Sequence, residues 1–303
     1  MGSYYNSGSP ETIKFMEQDK NGMLYRIAGS LSEVISHFYH IFHAGGEPVV
    51  KHLSPSLEML LVFNFGTVIP ISFSNSSNSY DLQKGCFVLG PLRQMLNYEL
   101  KPGADVVVVN FKQSGFYRLF KVPLNSFDGQ TAYDADRLTN GFSWHELWVE
   151  LSKITEVRAR LSILRGYLSH YINEKDDDAQ PLVDSEHFFY NPLIHPVKAF
   201  ASAAKVSERT IQVRFQKYAG FSPKELLRFL RFQTVINRML SSPGKSFDMI
   251  EIVAVFNYHD QSHLIKDFQH FLGTTPKHFI KDLKGKEFFI IGSGPNDTET
   301  ISE

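Results

Sequence analysis

Two groups of side chains at helical spacing have the chemistry needed to read the edges of base pairs. Arginine and lysine match the acceptor atoms of guanine, glutamine matches adenine, and valine or isoleucine contacts the methyl group of thymine in the major groove. With a turn of about 100° per helical residue, each group centres on the helix face opposite buried Ile211 or Leu264, and Gln261 reaches forward from the start of its helix. The alternative is that both are only solvated helix faces. The groups are Arg209, Gln212, Val213 and Gln216, and Gln261, Ser262, Ile265 and Lys266.

The residues around the second group predict two short helices joined by a tight turn. Apolar residues at helical spacing lie between Ile250 and Phe256, and Asn257 ends this segment because asparagine tolerates a left-handed backbone. Asp260 caps the next helix by accepting a hydrogen bond from a free backbone N–H. Gly273 ends that helix, whose buried stripe is Leu264, Phe268 and Phe271. This arrangement is typical of a helix-turn-helix, whose second helix enters the major groove of DNA.

The same pattern occurs 53 residues earlier in the chain. Two helix-turn-helix units in tandem explain it, and such a repeat is hard to obtain by chance. Between the units, Ser222 and Pro223 begin a long helix that is apolar on one side and would set the distance between them. The matched pairs are Ala201 and Ala254, Ser207 and Asp260, Ile211 and Leu264, Phe215 and Phe268, and Gly220 and Gly273.

The segments SERTIQVRFQKYAGFSPKELLRF and DQSHLIKDFQHFLGTTPKHF resemble the DNA-binding domain of AraC/XylS-type bacterial transcription regulators. One departure is Asn257-Tyr258, where the family has Gly-Phe. The resemblance implies double-stranded DNA as a partner, RNA polymerase as a further partner, and assembly as a homodimer. It also implies base contacts at Arg209, Gln212, Val213, Gln261, Ser262, Ile265 and Lys266.

Three lysines close to helix ends and starts are candidates for contacts to DNA phosphates. Lys217, Lys224 and Lys277 carry the charge, and the backbone N–H groups behind Ser222 and Thr275 are free to bind an anion. Contacts of this kind set affinity and position rather than sequence preference. The neighbouring Arg214 is a weaker candidate, because an ion pair inside the domain would also explain it.

Charge is distributed unevenly along a chain whose net charge is −1. Residues 186–286 hold 15 lysines and arginines against 8 acidic residues, whereas residues 1–185 hold 16 against 20. The remaining residues add acidic side chains and no basic one. A basic domain on an acidic body indicates a polyanionic partner for the basic part alone. Chance clustering is the alternative, but the basic region coincides with the repeat.

The N-terminal half has a pattern typical of a β-rich domain. Residues 59–65 form an apolar run that ends at Gly66, and the β-branched residues 106–111 follow Pro102-Gly103. Several short strands separated by such turns favour a small antiparallel barrel or sandwich. The pieces HLSPSLEMLLVFNFG, FVLGPLRQ and VVVVNFKQSGFYRLFKVPLNSFDGQ resemble the cupin-like N-terminal domain of one branch of the same family. That resemblance implies a domain that senses a small-molecule effector or dimerises.

A helical region begins at the capping residue Ser143 and contains a seam of apolar residues. The seam repeats with alternating spacings of four and three residues, as the contact face of a dimer helix would. Packing against the β-rich domain is the alternative, because two heptads are a short repeat. The seam consists of Val157, Leu161, Leu164, Leu168 and Tyr171.

These patterns predict an α+β chain: a β-rich cupin-like barrel or sandwich with flanking helices, then an all-α domain of two tandem helix-turn-helix units. We expect a flexible N-terminus at 1–19 and a β-rich sensing or dimerisation domain at 20–172. An acidic linker at 173–185 precedes the DNA-binding domain at 186–284. Its two units lie at about 195–220 and 248–273, and a flexible acidic tail occupies 285–303.

Metal and catalytic chemistry find little support in the sequence. In a strand, His40 faces away from His37 and His43, since side chains alternate, and no acidic residue nearby completes a ligand set. His263 and His270 likewise lack partner ligands at a useful spacing. Cys86 is expected to be a small buried residue. Because neither a phosphate-binding glycine loop nor a catalytic triad occurs, we expect no metal, no cofactor, no catalytic residue and no enzymatic activity.

The sequence therefore predicts a sequence-specific transcription regulator of the bacterial cytoplasm. The chain has no apolar run long enough to span a membrane, we expect no signal peptide from its first residues, and its single cysteine fits a reducing compartment. The rival interpretation is a small-molecule-binding or enzymatic β-barrel whose helical domain mediates protein contacts. The charge asymmetry and the polar faces of the predicted recognition helices argue against that rival.

Overall fold

The computed structural model describes residues 20–112, 114–138, 142–172, 196–240, 247–282, 288–289 and 298–301. The predicted flexible N-terminus at 1–19 and the predicted acidic linker at 173–185 lie outside these residues. None of the helices in this part of the chain combines the length and the hydropathy that a membrane crossing requires.

Two packed β-sheets form the N-terminal domain, as the strand and turn pattern predicted. The seven-stranded sheet has the order β10-β7-β4-β9-β2-β1-β12, and the five-stranded sheet has the order β11-β3-β8-β5-β6. The strands are β1 Gly22–Ile27, β2 Ile35–His43, β3 Val49–Leu53, β4 Met59–Asn64, β5 Ile69–Phe73, β6 Ser79–Leu82, β7 Gly85–Leu89, β8 Leu96–Leu100, β9 Ala104–Phe111, β10 Tyr133–Asp134, β11 Phe288–Phe289 and β12 Thr298–Ile301.

Strand β4 lies between β7 and β9 inside the larger sheet and is buried on both faces. Leu60 and Val62 join the core between the two sheets, whereas Leu61 and Phe63 join a second core beneath the helices. This double burial explains why the sequence shows a continuous apolar run instead of an alternating one.

Three helices cover the outer face of the larger sheet: α1 Gly115–Phe120, α2 Trp144–Ser152 and α3 Val157–Tyr171. The leucines of the predicted seam, Leu161, Leu164 and Leu168, are 0%, 0% and 1% exposed inside the same chain. They have no free surface to offer a second copy, so the prediction of a dimer seam on these residues is wrong. The alternative, packing against the β-rich domain, is correct.

An ion pair beneath the helices ties α3 to β9. The guanidinium of Arg160, which is 3% exposed, donates to both carboxylate oxygens of Asp105 at 3.0 Å and lies 4.0 Å from the centre of the Phe65 ring. Burial by itself would raise the pKa of Asp105, but the hydrogen bond with His40 and the charge of Arg160 hold it below its usual value. The pair therefore anchors α3 through a charged carboxylate.

The three histidines of β2 alternate between its faces as the strand geometry predicted. His37 and His43 are buried, while the Nε2 atom of His40 lies 2.9 Å from Oδ1 of Asp105. The Nδ1 atoms of His37 and His43 lie 2.9 Å from the Ser36 hydroxyl and 3.0 Å from the Asn21 amide. Each histidine is thus engaged by a different protein group.

The C-terminal domain is helical, and its order of elements is the predicted tandem pair. A first helix-turn-helix, a long connecting helix and a second helix-turn-helix follow one another, and a last short helix ends the domain. The helices are α4 Pro196–Ala203, α5 Glu208–Ala219, α6 Pro223–Leu240, α7 Met249–Val255, α8 Gln261–Leu272 and α9 Pro276–Asp282.

Two segments of the C-terminal tail return to the N-terminal domain. Strand β11 pairs in parallel with β3, and β12 pairs in parallel with β1. The prediction of a flexible tail at 285–303 is therefore wrong for residues 288–289 and 298–301. The outer edges of β1 and β3 present backbone hydrogen-bonding groups that an extended segment can pair with.

Candidate nucleic-acid interface

The two recognition helices, α5 and α8, are bounded by the same local signals. The side chain of Ser207 accepts a hydrogen bond from the Thr210 N–H at 3.1 Å, and that of Asp260 accepts one from the His263 N–H at 2.9 Å. Each helix has 12 residues and ends at a glycine with a left-handed backbone, Gly220 in α5 and Gly273 in α8. The predicted caps and stops are confirmed in both units.

The core of each unit is built from the predicted phenylalanines. Phe215 and Phe268 are both 0% exposed, as are Ile211 and Leu264 one turn earlier. The rings of Phe215 and Phe200 are 6.2 Å apart, and the Phe268 ring lies 5.2 Å from Phe232 of α6. Burial of these stripes fixes which side of α5 and α8 faces outward.

The turn of the second unit is one residue longer than that of the first. Asn257 adopts a left-handed backbone there with φ of 55°, as predicted. Because of the extra residue, the predicted match of Ala254 with Ala201 is wrong, since Ala201 is buried and Ala254 is exposed. Ile252, and not Ile250, is the buried residue on α7, and Ile250 is 67% exposed.

All eight predicted base-reading side chains lie at the surface. Arg209, Gln212 and Gln216 are exposed on α5, and Val213 among them is 55% exposed despite its apolar side chain. On α8 the exposed residues are Gln261, Ser262 and Lys266, with Ile265 38% exposed. Each helix thus exposes one β-branched side chain together with polar side chains, of two types on α5 and of three types on α8.

The predicted phosphate contacts divide into two kinds. Lys224 and Lys277 are exposed in the first turns of α6 and α9. The hydroxyls of Ser222 and Thr275 already act as helix caps, accepting from the N–H groups of Glu225 at 3.1 Å and His278 at 3.4 Å. A phosphate would therefore meet the remaining N–H groups of these helix starts together with the lysine charge.

Lys217 lies in a different place, at the junction with the N-terminal domain. Its Nζ atom donates to the Tyr218 hydroxyl at 3.0 Å and lies 5.4 Å from the centre of the Tyr117 ring on α1. The hydrogen bond to Tyr218 raises the pKa of Lys217, so the ammonium group stays charged at the junction. This placement gives Lys217 a partner other than DNA.

A buried carboxylate that no sequence motif predicted orients α8. Asp267 is 4% exposed and accepts hydrogen bonds from Arg228 of α6 at 2.7 Å and from the Tyr258 hydroxyl at 2.9 Å. Burial, followed by the charge of Asp267, raises the pKa of Tyr258, which therefore remains a donor. Tyrosine in place of the family's phenylalanine was the available signal, because a buried hydroxyl needs a partner.

Residues 200–282 match a family described as a helix-turn-helix domain, and the match spans both units and α6 between them. The chain carries an AraC-type helix-turn-helix domain. This AraC-type domain supports a DNA-binding transcription regulator. Residues 25–132 match a second family, described as a domain of unknown function (DUF6597), and the match runs from within β1 through β9 and α1.

Among solved structures the chain is similar to ToxT from Vibrio cholerae, with 12% identity over 86% of this chain and 98% of that chain and a TM-score of 0.37. A ToxT structure with a bound unsaturated fatty acid covers 90% of this chain and 99% of its own, with 12% identity and a TM-score of 0.35. The AraC-like transcriptional activator CuxR has 9% identity over 70% of this chain and 83% of its own, with a TM-score of 0.24. TM-scores of this size do not establish a shared arrangement. No curated protein matches the chain.

Three side chains with metal-binding atoms meet at the start of the second recognition helix of the AraC-type domain. The ligand atoms of His259, Asp260 and His263 lie within 4.8 Å of one another. The expectation that His263 has no partner ligand nearby is therefore wrong, because the longer turn brings His259 next to it. Asp260 holds both rings, at 3.1 Å from His259 and 3.0 Å from His263, and these hydrogen bonds account for their proximity. The pKa of Asp260 is lowered mainly by the hydrogen bond from the His263 backbone N–H, and the hydrogen bonds with the two histidine rings lower it further.

Proposed function

We propose that this protein is a sequence-specific transcription regulator that inserts α5 and α8 into successive major-groove segments of double-stranded DNA. The observation that carries the proposal is the pair of 12-residue helices, capped and terminated alike, which expose base-reading side chains opposite a fully buried stripe. Two equivalent polar faces, one on each recognition helix, suit a ligand such as DNA, whose major groove recurs once per helical turn. The basic charge of the same region supports a polyanionic ligand.

The base contacts belong to the same proposal. Lys266 and Arg209 suit guanine, the three glutamines suit adenine, and Val213 and Ile265 suit thymine methyl groups. Ser262 offers a hydroxyl to either kind of base. Lys224 and Lys277 contact phosphates, whereas Lys217 holds the domain junction.

For the N-terminal domain we propose a cupin-like sensing role in the bacterial cytoplasm. A polar side chain buried between the two sheets supports a polar small-molecule effector. Asn110 is 1% exposed, and its Oδ1 atom has no hydrogen-bond partner among the described residues. A buried acceptor of this kind calls for a donor, which an effector would supply. A homodimer and an RNA polymerase contact complete the proposed regulator, and any dimer uses a surface other than the buried leucine seam.

Selection of bound duplexes from a randomised DNA pool tests the proposal directly. The full chain should enrich one motif with two conserved segments separated by about one helical turn, roughly 10 base pairs between centres. The double variant Gln212→Ala/Lys266→Ala should enrich no motif while retaining weak binding, because phosphate contacts carry no sequence information. If the unaltered chain enriches no sequence, the reading function is wrong and a protein-interaction role for the helical domain is favoured.

A further inference from the structure

Both recognition helices end against the N-terminal domain, at equivalent positions of the repeat. Gly220 and Gly273 terminate α5 and α8 with φ of 82° and 68°. A Cβ atom at Gly220 would lie 2.7 Å from Pro91 Cγ, and one at Gly273 would lie 2.6 Å from Ser74 Cβ. Glycine is thus required at both positions by the backbone conformation and by the close approach of the other domain.

At the end of α8, the N-terminal domain donates hydrogen bonds to the last carbonyls of the helix. The last carbonyls of an α-helix lack N–H donors within the helix. In α8 the Gln269 carbonyl also accepts from the N–H of the C-cap residue Gly273 at 3.0 Å. The Asn75 side-chain amide donates to the Gln269 and His270 carbonyls at 2.7 and 2.9 Å. The Met95 N–H donates to the Phe271 carbonyl at 2.8 Å. Three successive carbonyls of the second recognition helix are therefore capped from outside.

At the end of α5, one arginine makes the corresponding contacts. The guanidinium of Arg93 donates to the Gly220 carbonyl and, through Nε, to Glu225 of α6 at 2.9 Å. Tyr218, near the end of α5, packs edge to face on the Tyr117 ring of α1, with centroids 4.7 Å apart. The first recognition helix is therefore held at its C-terminal carbonyl and at the start of the following helix.

The two contact points are connected to each other within the N-terminal domain. Arg93 and Met95 are two residues apart in the loop between β7 and β8. The Ser74 N–H donates to the Met95 carbonyl at 3.0 Å, which joins this loop to the residue next to Asn75. We name this short strip of the N-terminal domain the bracket; it consists of Ser74, Asn75, Arg93 and Met95. The bracket thus contacts the C-terminal ends of both recognition helices.

We infer that Asn75 and Arg93 are positioning residues for DNA reading, and that the bracket fixes the spacing at which α5 and α8 enter the DNA. The reading side chains lie on the exposed faces of the two helices and the bracket grips their ends, so docking leaves the DNA-facing surface open. The inference rests on the proposed function, because spacing matters only if both helices read one duplex. The N-terminal domain then helps to set the separation of the two helices that read the DNA.

The test measures affinity as a function of the spacing between the two conserved DNA segments. Duplexes carry the selected site with zero, one or two base pairs inserted between the segments or removed, and the full chain is titrated by fluorescence anisotropy. The unaltered chain should lose about tenfold in affinity for each one-base-pair change, since the change displaces and rotates one segment. The variant Asn75→Asp/Arg93→Gln should bind the best spacing and its neighbours within about threefold of one another.

Matched controls separate the bracket from charge and from folding. Asn75→Asp removes the donor at nearly constant size, and Asn78→Asp makes the same change three residues along, at an exposed side chain. Arg93→Gln is matched by Arg137→Gln at an exposed arginine of the same domain. The control double variant should keep the spacing profile of the unaltered chain, and the circular dichroism spectra of all three proteins should coincide.

Two results would overturn the inference. If Asn75→Asp/Arg93→Gln keeps the steep spacing dependence, the bracket does not position the helices. If it binds every spacing more tightly with an unchanged profile, the bracket restrains the helices from DNA instead of setting their separation. Failure of the unaltered chain to select any sequence contradicts the proposed function and is a distinguishable outcome.

Discussion

The Oδ1 atom of Asp267 lies 2.7 Å from the Nε atom of Arg228, and this ion pair ties the second recognition helix to the helix that connects the two units. The Asp267 carboxylate is buried, while the Arg228 side chain is 37% exposed. The orientation of the reading face on α8 therefore depends on a carboxylate that cannot itself reach DNA.

Replacement of Asp267 tests this dependence. Asp267→Ala should lower the free energy of unfolding by about 1–3 kcal/mol, because Arg228 and the Tyr258 hydroxyl lose their shared acceptor. The partly exposed Arg228 can turn to water, which keeps the loss below that of a fully buried pair. Urea unfolding measures the change, with Gln269→Ala on the exposed face of α8 as the control. Equal midpoints for the two variants would contradict the structural role of Asp267.

The two equivalent phenylalanines should each support their own unit. Phe215→Ala and Phe268→Ala should each cost about 3–5 kcal/mol of local stability through the cavity left behind. Either change should abolish DNA binding, because one of the two recognition helices unfolds. Thermal melts with Val213→Ala as an exposed control check this, and unaltered melts for either phenylalanine variant would show that its side chain is not core.

The buried leucine seam makes a distinct prediction about assembly. Leu164→Glu should unfold the N-terminal domain, because it places a charge in the core beneath the helices at a cost of several kcal/mol. Ser162→Glu adds the same charge on the exposed face of α3 and should be tolerated. Near-UV circular dichroism and sedimentation distinguish the outcomes. If the Leu164→Glu protein is folded and has an altered oligomeric state, the seam is a dimer interface and its assignment to the core is contradicted.

The free energy of unfolding should depend on pH through the protonation of His37. Burial, together with the charge of Arg26, lowers its pKa from 6.5 to about 4, so below pH 6.5 the unfolded chain binds a proton that the folded protein does not. The contribution is fully present above pH 6.5 and is lost as the pH falls towards 4, by up to about 3 kcal/mol. Urea midpoints between these pH values should fall less steeply for His37→Asn than for the exposed control His145→Asn. Parallel pH profiles would refute the assignment.

Much of the AraC-type domain could be predicted because its signals are local. Ser207 and Asp260 cap helices through backbone groups three residues away, and Gly220 and Gly273 end them through their own dihedral angles. The buried phenylalanines follow from helical periodicity alone. Interactions of this range are encoded in neighbouring residues, so a repeat in the sequence reappears as a repeat in the structure.

Features that depend on distant partners could not be predicted. The spacing of Leu161, Leu164 and Leu168 fits a dimer face and an interior face equally, and only the sheet beneath α3 decides between them. In the sequence Asn75 is an ordinary turn residue, and its contact with the end of α8 lies almost 200 residues further along the chain. Lys217 has the sequence position of a phosphate contact, and only the fold shows that the Tyr117 ring lies beside it.

The central claim is that α8 reads base edges, and a comparison of two lysines tests it most directly. Lys266 lies on the reading face of α8, whereas Lys277 begins α9 beside a helix start. Lys266→Ala and Lys277→Ala remove the same charge, so bulk electrostatics alone predicts the same behaviour for both. Their effects are compared on the selected site and on each of its single-base changes, at several salt concentrations.

Lys266→Ala should cost about 1–3 kcal/mol on the selected site and relax the preference at one base pair. Lys277→Ala should weaken binding to all sequences alike and reduce the slope of log affinity against log salt by about one. If both variants instead lose affinity uniformly across sequences, Lys266 contacts only phosphate and the assignment of the reading face on α8 is contradicted.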